Sequence, residues 1–195
     1  MNKAKRMGVL GGTFDPVHNA HLAMARAARD HAHLDTVLFV VAARPPHKDT
    51  GPCASPEDRF NMVEAAVADE PQLRASPLEL DRGGVSYTCD TLDELGRQAP
   101  AAKLFLVVGF DSLIDLPNWR NFQHVVASAG LLVAPRPGQY NHVPKELEGR
   151  YTVLPCPKFD VSSTDIRNRI RAGQSIEDLV PPAVVQYIRE KGIYQ

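Results

Sequence analysis

The sequence predicts an α/β fold: a Rossmann-like, doubly wound parallel sheet with a small C-terminal helical extension. Two observations carry this expectation. The runs Thr36-Val37-Leu38-Phe39-Val40-Val41 and Lys103-Leu104-Phe105-Leu106-Val107-Val108-Gly109 are apolar and β-branched almost throughout, the pattern of strands buried on both faces. Segments of helical periodicity separate such runs, as in a parallel sheet with helices on both faces.

Taken in order, Met7-Gly8-Val9-Leu10 reads as a first short buried strand. It meets a glycine turn, Gly11-Gly12-Thr13-Phe14-Asp15-Pro16-Val17-His18, and then a helix in which Leu22, Ala25 and Ala28 fall three apart. The strand at 36–41 ends in Pro45-Pro46-His47-Lys48, a loop because two prolines in series continue neither element. Ser55-Pro56-Glu57-Asp58 opens the next helix, serine as cap and proline at the first position, running to about Ala68. Leu73 to Leu80 is expected to hold a short strand, and Ser86 to Leu92 leads into a helix ending near Gly96. After the strand at 103–109 come two more, Leu131 to Ala134 and Tyr151 to Leu154. Ser162-Ser163-Thr164-Asp165 has the form of a capping box and opens a helix that stops at Gly173. Pro181-Pro182 begins the last helix and Gly192 closes it. No internal repeat interrupts this order, so residues 1–195 read as one domain, with the helical part at about 162–195.

Composition narrows the class. At 44% hydrophobic and 23% charged residues the chain is an ordinary globular one. A net charge of −1 and dispersed basic residues point away from a nucleic-acid or membrane surface. Cys53, Cys89 and Cys156 form no Cys-x-x-Cys pair, which favours a reducing, cytoplasmic setting over a disulfide framework. The apolar stretch after the basic N-terminus is too short for a signal peptide, and no run reaches the length of a membrane span.

The chemistry gathers on loops that follow strands. His18 and His21 sit three apart where a strand and turn feed a helix, whose unpaired N–H groups and dipole favour an anion. Taken alone, this stretch also fits an ordinary strand-to-helix turn, or half of a zinc site. Zinc, however, asks for more ligands at set spacing, and Asp15 reads as a turn residue. Lys48 follows the Pro-Pro turn and fits a solvated surface loop as readily as a site. Asp111 fits either a cap for the short helix that follows or a ligand contact. Trp119 fits either core or an exposed ring that stacks on a flat ligand. Ser162 to Arg167 carries more hydroxyls than capping uses, beside an arginine, which suits a polyphosphate.

Together these motifs resemble the bacterial nicotinate mononucleotide adenylyltransferases, nucleotidyltransferases with a His-x-Gly-His signature. The resemblance runs nearly end to end: residues 11–18, 45–48, 86–92, 108–111, Trp119, 162–167 and the tail around Val180 to Ile188 and Lys191 to Tyr194. It departs at Ala20, where the family has glycine; the added methyl is expected to crowd the nucleotide while favouring the helix by about 1 kcal/mol.

The resemblance implies transfer of the adenylyl group of ATP to nicotinate mononucleotide, giving deamido-NAD and pyrophosphate. His18, His21, Lys48 and Arg167 would be the catalytic residues. Gly11, Gly12, Thr13, Phe14, Arg136, Ser163 and Thr164 would hold ATP. Thr88, Asp111 and Trp119 would hold the nicotinate nucleotide. Mg²⁺ would arrive on the ATP phosphates, with no dedicated protein metal site, and a homo-oligomer is compatible with the family. The competing readings are an enzyme preferring nicotinamide mononucleotide or another phosphorylated acceptor such as phosphopantetheine, and a non-catalytic nucleotide sensor.

Overall fold

The computed structural model describes residues 4–46, 53–135, 143–157 and 161–195. Its centre is a sheet of six strands: β1 (Arg6–Gly12), β2 (Thr36–Val41), β3 (Leu73–Ser76), β4 (Lys103–Gly109), β5 (Gly130–Ala134) and β6 (Tyr151–Val153). They lie in the order β3-β2-β1-β4-β5-β6, and every adjacent pair is parallel. The order therefore reverses between β1 and β4, the point where such sheets open a crevice beyond the carboxyl ends of their strands.

Eight helices are described: α1 (Asn19–His31), α2 (Pro56–Val67), α3 (Leu78–Arg82), α4 (Thr88–Gln98), α5 (Phe110–Asp115), α6 (Phe122–Ser128), α7 (Ser163–Arg171) and α8 (Pro182–Lys191). The period-2 alternation of the strands splits the core into two layers. Leu10, Val37, Phe39, Val41, Val107 and Leu132 face the layer built with α1, α2, α7 and α8. Val9, Val40, Leu106, Val108, Leu131 and Val133 face the layer built with α4, α5 and α6. The C-terminal helices belong to this core: Ile166, Val184 and Ile188 are buried in the first layer. Tyr187 of α8 donates its hydroxyl to Asp58 of α2 at 3.0 Å. No helix among the described residues is long and apolar enough to cross a membrane.

The short strand expected within 73–80 is β3, and it stops at Ser76, because Pro77 has no N–H for the ladder and instead stands at the start of α3. One expectation changes. Gly11 and Gly12 belong to the end of β1, paired in register with Val40 and Val41, so the turn begins only at Thr13. Gly12 must be glycine there, since a Cβ would come within 2.8 Å of the Phe14 ring. The short helix α6 has too few apolar residues in register to be visible in the sequence; Val125 alone is fully buried.

Candidate active site

A cleft of about 900 Å³ opens beyond the carboxyl ends of β1, β4 and β5. Gly11, Gly12, Thr13, His18 and His21 line it from the β1–α1 side, and Thr88, Asp111 and Trp119 from the α4–α5 side. Ser162 and Ser163 close it from the start of α7. Motifs as far apart in sequence as Gly11 and Ser163 thus converge on the reversal point of the sheet.

The two histidines form a unit. His18 is the N-cap of α1, and its ring stacks on that of His21 with centroids 3.7 Å apart. The His18 backbone N–H donates to His21 Nδ1 at 3.2 Å. That bond fixes the neutral tautomer of His21: Nδ1 is the acceptor, so the proton sits on Nε2. Beneath the pair lies Phe14, whose ring meets His21 edge-on at 5.0 Å. Burial pulls the His18 pKa down to about 4. Burial, with the charge of His18 as a smaller cause, also pushes His21 well below the ordinary imidazole value. At neutral pH both rings are therefore uncharged. His18 Nδ1 is buried and has no hydrogen-bond partner among the described residues. A neutral ring pair with polar edges in a cleft donates N–H bonds to an anion without bringing charge of its own.

What holds this pair in place was not visible in the sequence. Asp15 is only 2% exposed, so it is far more than a turn residue. Its carboxylate accepts the backbone N–H of Cys53 at 2.8 Å and of Ala54 at 3.0 Å, and the hydroxyl of Tyr194 at 2.8 Å. Burial and the nearby Asp15 charge push the Tyr194 pKa upward, so the phenol stays a donor. Arg167 donates to the Asp15 carbonyl at 2.7 Å and lies 3.7 Å from its carboxylate. Arg59, fully buried, donates from one nitrogen to the carbonyls of Thr13 and Ala42, at 2.9 and 2.7 Å. One carboxylate and two guanidiniums thus pin the turn to α2, α7 and the C-terminal tail.

The remaining candidates fall into place unequally. Ser162 caps α7 by accepting the Asp165 N–H at 3.1 Å, while Ser163 donates to the Pro16 carbonyl at 2.9 Å. Thr164 is exposed, does not line the cleft, and accepts a bond from Arg167 at 3.1 Å. The capping surplus expected at 162–164 is thus partly spent on the chain itself. The first N–H of α1, on Asn19, is likewise taken, by the Leu179 carbonyl at 2.9 Å. Thr88 is the first residue of α4, and Asp111 lies in the first turn of α5. Trp119 is half-buried, its indole N–H donating to Asp115 at 3.1 Å while its ring faces the cleft. Ala20 also lines the cleft, at 8% exposure. Lys48 and Arg136 lie outside the described residues. Among the described residues no cluster of three or more His, Cys, Asp or Glu is arranged to hold a metal.

Of the residues missed, Arg59 had a signal: it stands three and four positions before Met62 and Val63, on the apolar stripe of α2. Asp15 and Tyr194 had none beyond their place in the motif and the tail.

Residues 9–169 match the cytidylyltransferase-like family. A protein of Neisseria meningitidis named "Probable nicotinate-nucleotide adenylyltransferase" is 41% identical over 201 aligned residues, covering 98% of this chain and 99% of that one. A protein of the same name from Thermus thermophilus is 44% identical, covering 97% and 100% of the two chains. Among solved structures, the nicotinic acid mononucleotide adenylyltransferase of Plasmodium falciparum complexed with NaAD superposes with a TM-score of 0.80. It covers 97% of both chains at 18% identity, a likeness of fold.

Proposed function

The chain belongs to the cytidylyltransferase-like family and, within it, to the nicotinate-nucleotide adenylyltransferases, and from that membership we infer the reaction at this cleft. The adenylyl group of ATP passes to nicotinate mononucleotide, giving deamido-NAD and pyrophosphate, a step of NAD biosynthesis. The acceptor's phosphate oxygen attacks the α-phosphorus; the bond to the β-phosphate bridging oxygen breaks, and pyrophosphate leaves. That attacking oxygen is already ionised at neutral pH, so the step needs alignment and charge stabilisation rather than a general base.

The observation that carries this reading is the His18–His21 pair. A ring whose pKa lies near 4 is a poor base at neutral pH but a fixed neutral donor. With Nδ1 bound to the His18 N–H, His21 presents Nε2–H, and such a preorganised donor stabilises charge developing on the α-phosphate and leaving pyrophosphate. Gly11, Gly12 and Thr13 let the triphosphate approach backbone, and a Cβ at Gly11 would meet nothing within 4 Å. Ser163 bounds the same end of the cleft. Arg167 acts here as a positioning residue, since its bonds go to Asp15 and Thr164. Phe14 supports His21 from below, and Thr164 acts through Arg167. Lys48 and Arg136 keep the roles that the resemblance implies, charge at the triphosphate and contact with the adenylate. Thr88 and Trp119 take the nicotinate ring, and Asp111 a ribose hydroxyl. ATP enters as Mg-ATP, the cation carried on its phosphates. The whole chain acts as a single catalytic unit in the cytoplasm, with the 162–195 helices part of it.

The test is pyrophosphate release from Mg-ATP with nicotinate mononucleotide, with its amide and with phosphopantetheine in parallel. Release with the acid at the highest kcat/KM is expected. Release only with another acceptor would overturn the substrate assignment, and release with none would leave a nucleotide sensor.

A further inference from the structure

Arg59 of α2 is fully buried, yet among the described residues it makes no ion pair; its contacts are backbone carbonyls. Nη1 donates to Thr13 at 2.9 Å and to Ala42 at 2.7 Å, and Nη2 lies 3.5 Å from the Ala43 carbonyl. A buried cation is costly unless it is hydrogen-bonded, so those carbonyls are gripped rather than brushed. Thr13 belongs to the turn that leads to the histidines, and Ala42 follows the end of β2.

A trans peptide is planar, so its C=O and N–H point in opposite directions. By holding a carbonyl, the guanidinium therefore aims the N–H on the far side of the same peptide. In the Ala42–Ala43 peptide that N–H donates to Ser86 Oγ at 2.9 Å, and Ser86 lines the cleft. The Thr13–Phe14 peptide is trans as well, but the N–H of Phe14 has no acceptor among the described residues. Phe14 is only 2% exposed, and a buried N–H without an acceptor is rare and costly. Its backbone is left-handed at φ 51, a conformation that persists only where the surroundings hold it. Thr13, on the other side of this peptide, lines the cleft. An anion oxygen seated there would supply the missing acceptor.

We propose that Arg59 is a positioning residue for adenylyl transfer. From beneath the turn it holds the Thr13–Phe14 peptide so that the Phe14 N–H is presented to the triphosphate. Arg59 touches no substrate and acts through that peptide. The inference rests on the reading given above, with the phosphates at the β1–α1 turn.

The experiment measures Kd for Mg-ATP and for adenosine by calorimetry, without acceptor, and kcat/KM for Mg-ATP. The proteins are the wild type, Arg59→Met, Arg59→Lys and Met62→Ala. Met62 is fully buried on the same helix and contributes only packing, so its variant reports lost stability alone. In Arg59→Met, Kd for Mg-ATP rises about tenfold, the loss of one hydrogen bond to a charged group, while Kd for adenosine changes less than about twofold. The preference for the triphosphate over the nucleoside therefore falls, and kcat/KM falls at least as far. Met62→Ala keeps the wild-type preference. An unchanged preference in Arg59→Met overturns the proposal, as does an equal fall in Met62→Ala. Should Arg59→Met fail to fold, Arg59→Lys decides, because a compact ammonium does not reproduce the planar fork. A lowered preference there supports the proposal, and an unchanged one overturns it. A wild type that binds Mg-ATP no tighter than adenosine would instead overturn the placement of the phosphates at this turn, and the proposal with it.

Discussion

Asp15→Asn is the most informative perturbation, because everything around that carboxylate donates. Two backbone N–H groups and the Tyr194 hydroxyl meet it at 2.8 to 3.0 Å, and the Arg167 guanidinium lies 3.7 Å away. An asparagine keeps one acceptor oxygen and turns the other position into an NH₂. If the oxygen serves Ala54 and Tyr194, the amide nitrogen faces the Cys53 N–H, donor against donor. Leaving that buried N–H unsatisfied costs about 1–3 kcal/mol. Losing the charge beside Arg167 adds to this, at less than the roughly 3–5 kcal/mol of a fully broken buried pair, because Arg167 keeps its bonds to the Asp15 carbonyl and Thr164. The sum is about 3 kcal/mol, within the 5–15 kcal/mol of a typical domain, so the variant folds. Its midpoint should fall by roughly 6–12 °C, at about 2–4 °C per kcal/mol for a chain of this size. Tyr194→Phe removes one donor and leaves the others, so it should cost about 1 kcal/mol. The two losses should be less than additive when combined, since they share an atom. Thermal and urea unfolding followed by circular dichroism measure all three variants. An Asp15→Asn protein melting within about 2 °C of the wild type would refute the view that this carboxylate pins the turn.

Three further outcomes follow from the same geometry. His21→Ala should keep the fold and lower kcat by roughly two to three orders of magnitude, the usual loss for one preorganised donor; near-normal turnover would remove His21 from the chemistry. Stability should rise with pH between about 4 and 6.5, because the unfolded chain there binds a proton that buried His18 refuses, and flatten above. At about 1.4 kcal/mol per unit the window is worth about 3 kcal/mol, and urea midpoints at several pH values should show that slope shrink in His18→Gln; an equal slope in both proteins would contradict it. Ala20→Gly should leave kcat similar or lower the KM for ATP, with a loss of helix stability up to about 1 kcal/mol, and an inactive variant would show that the methyl is required rather than tolerated.

The sheet was legible because strands buried on both faces leave unbroken apolar runs, and 36–41 and 103–109 are such runs. Strand order was not, since nothing local says that β1 sits beside both β2 and β4. The histidines stood out because their spacing and the preceding glycines are local features. Their tautomer and stacking did not, because those depend on a backbone N–H and on the ring of Phe14, a residue whose backbone is left-handed at φ 51. Asp15 was misjudged for a related reason: its partners at 53, 54, 167 and 194 lie far along the chain, and only the fold brings three donors and a guanidinium charge to one carboxylate. Thr164 shows the opposite error, a hydroxyl in the right sequence position that the helix turns outward.

The central claim, adenylyl transfer at the cleft between β1 and β4, is tested most directly by following a label on the α-phosphate of ATP. With Mg²⁺ and nicotinate mononucleotide present, the label should appear in deamido-NAD, with one pyrophosphate released per dinucleotide formed. Label that remains in ATP, or that appears only in AMP, would contradict the account.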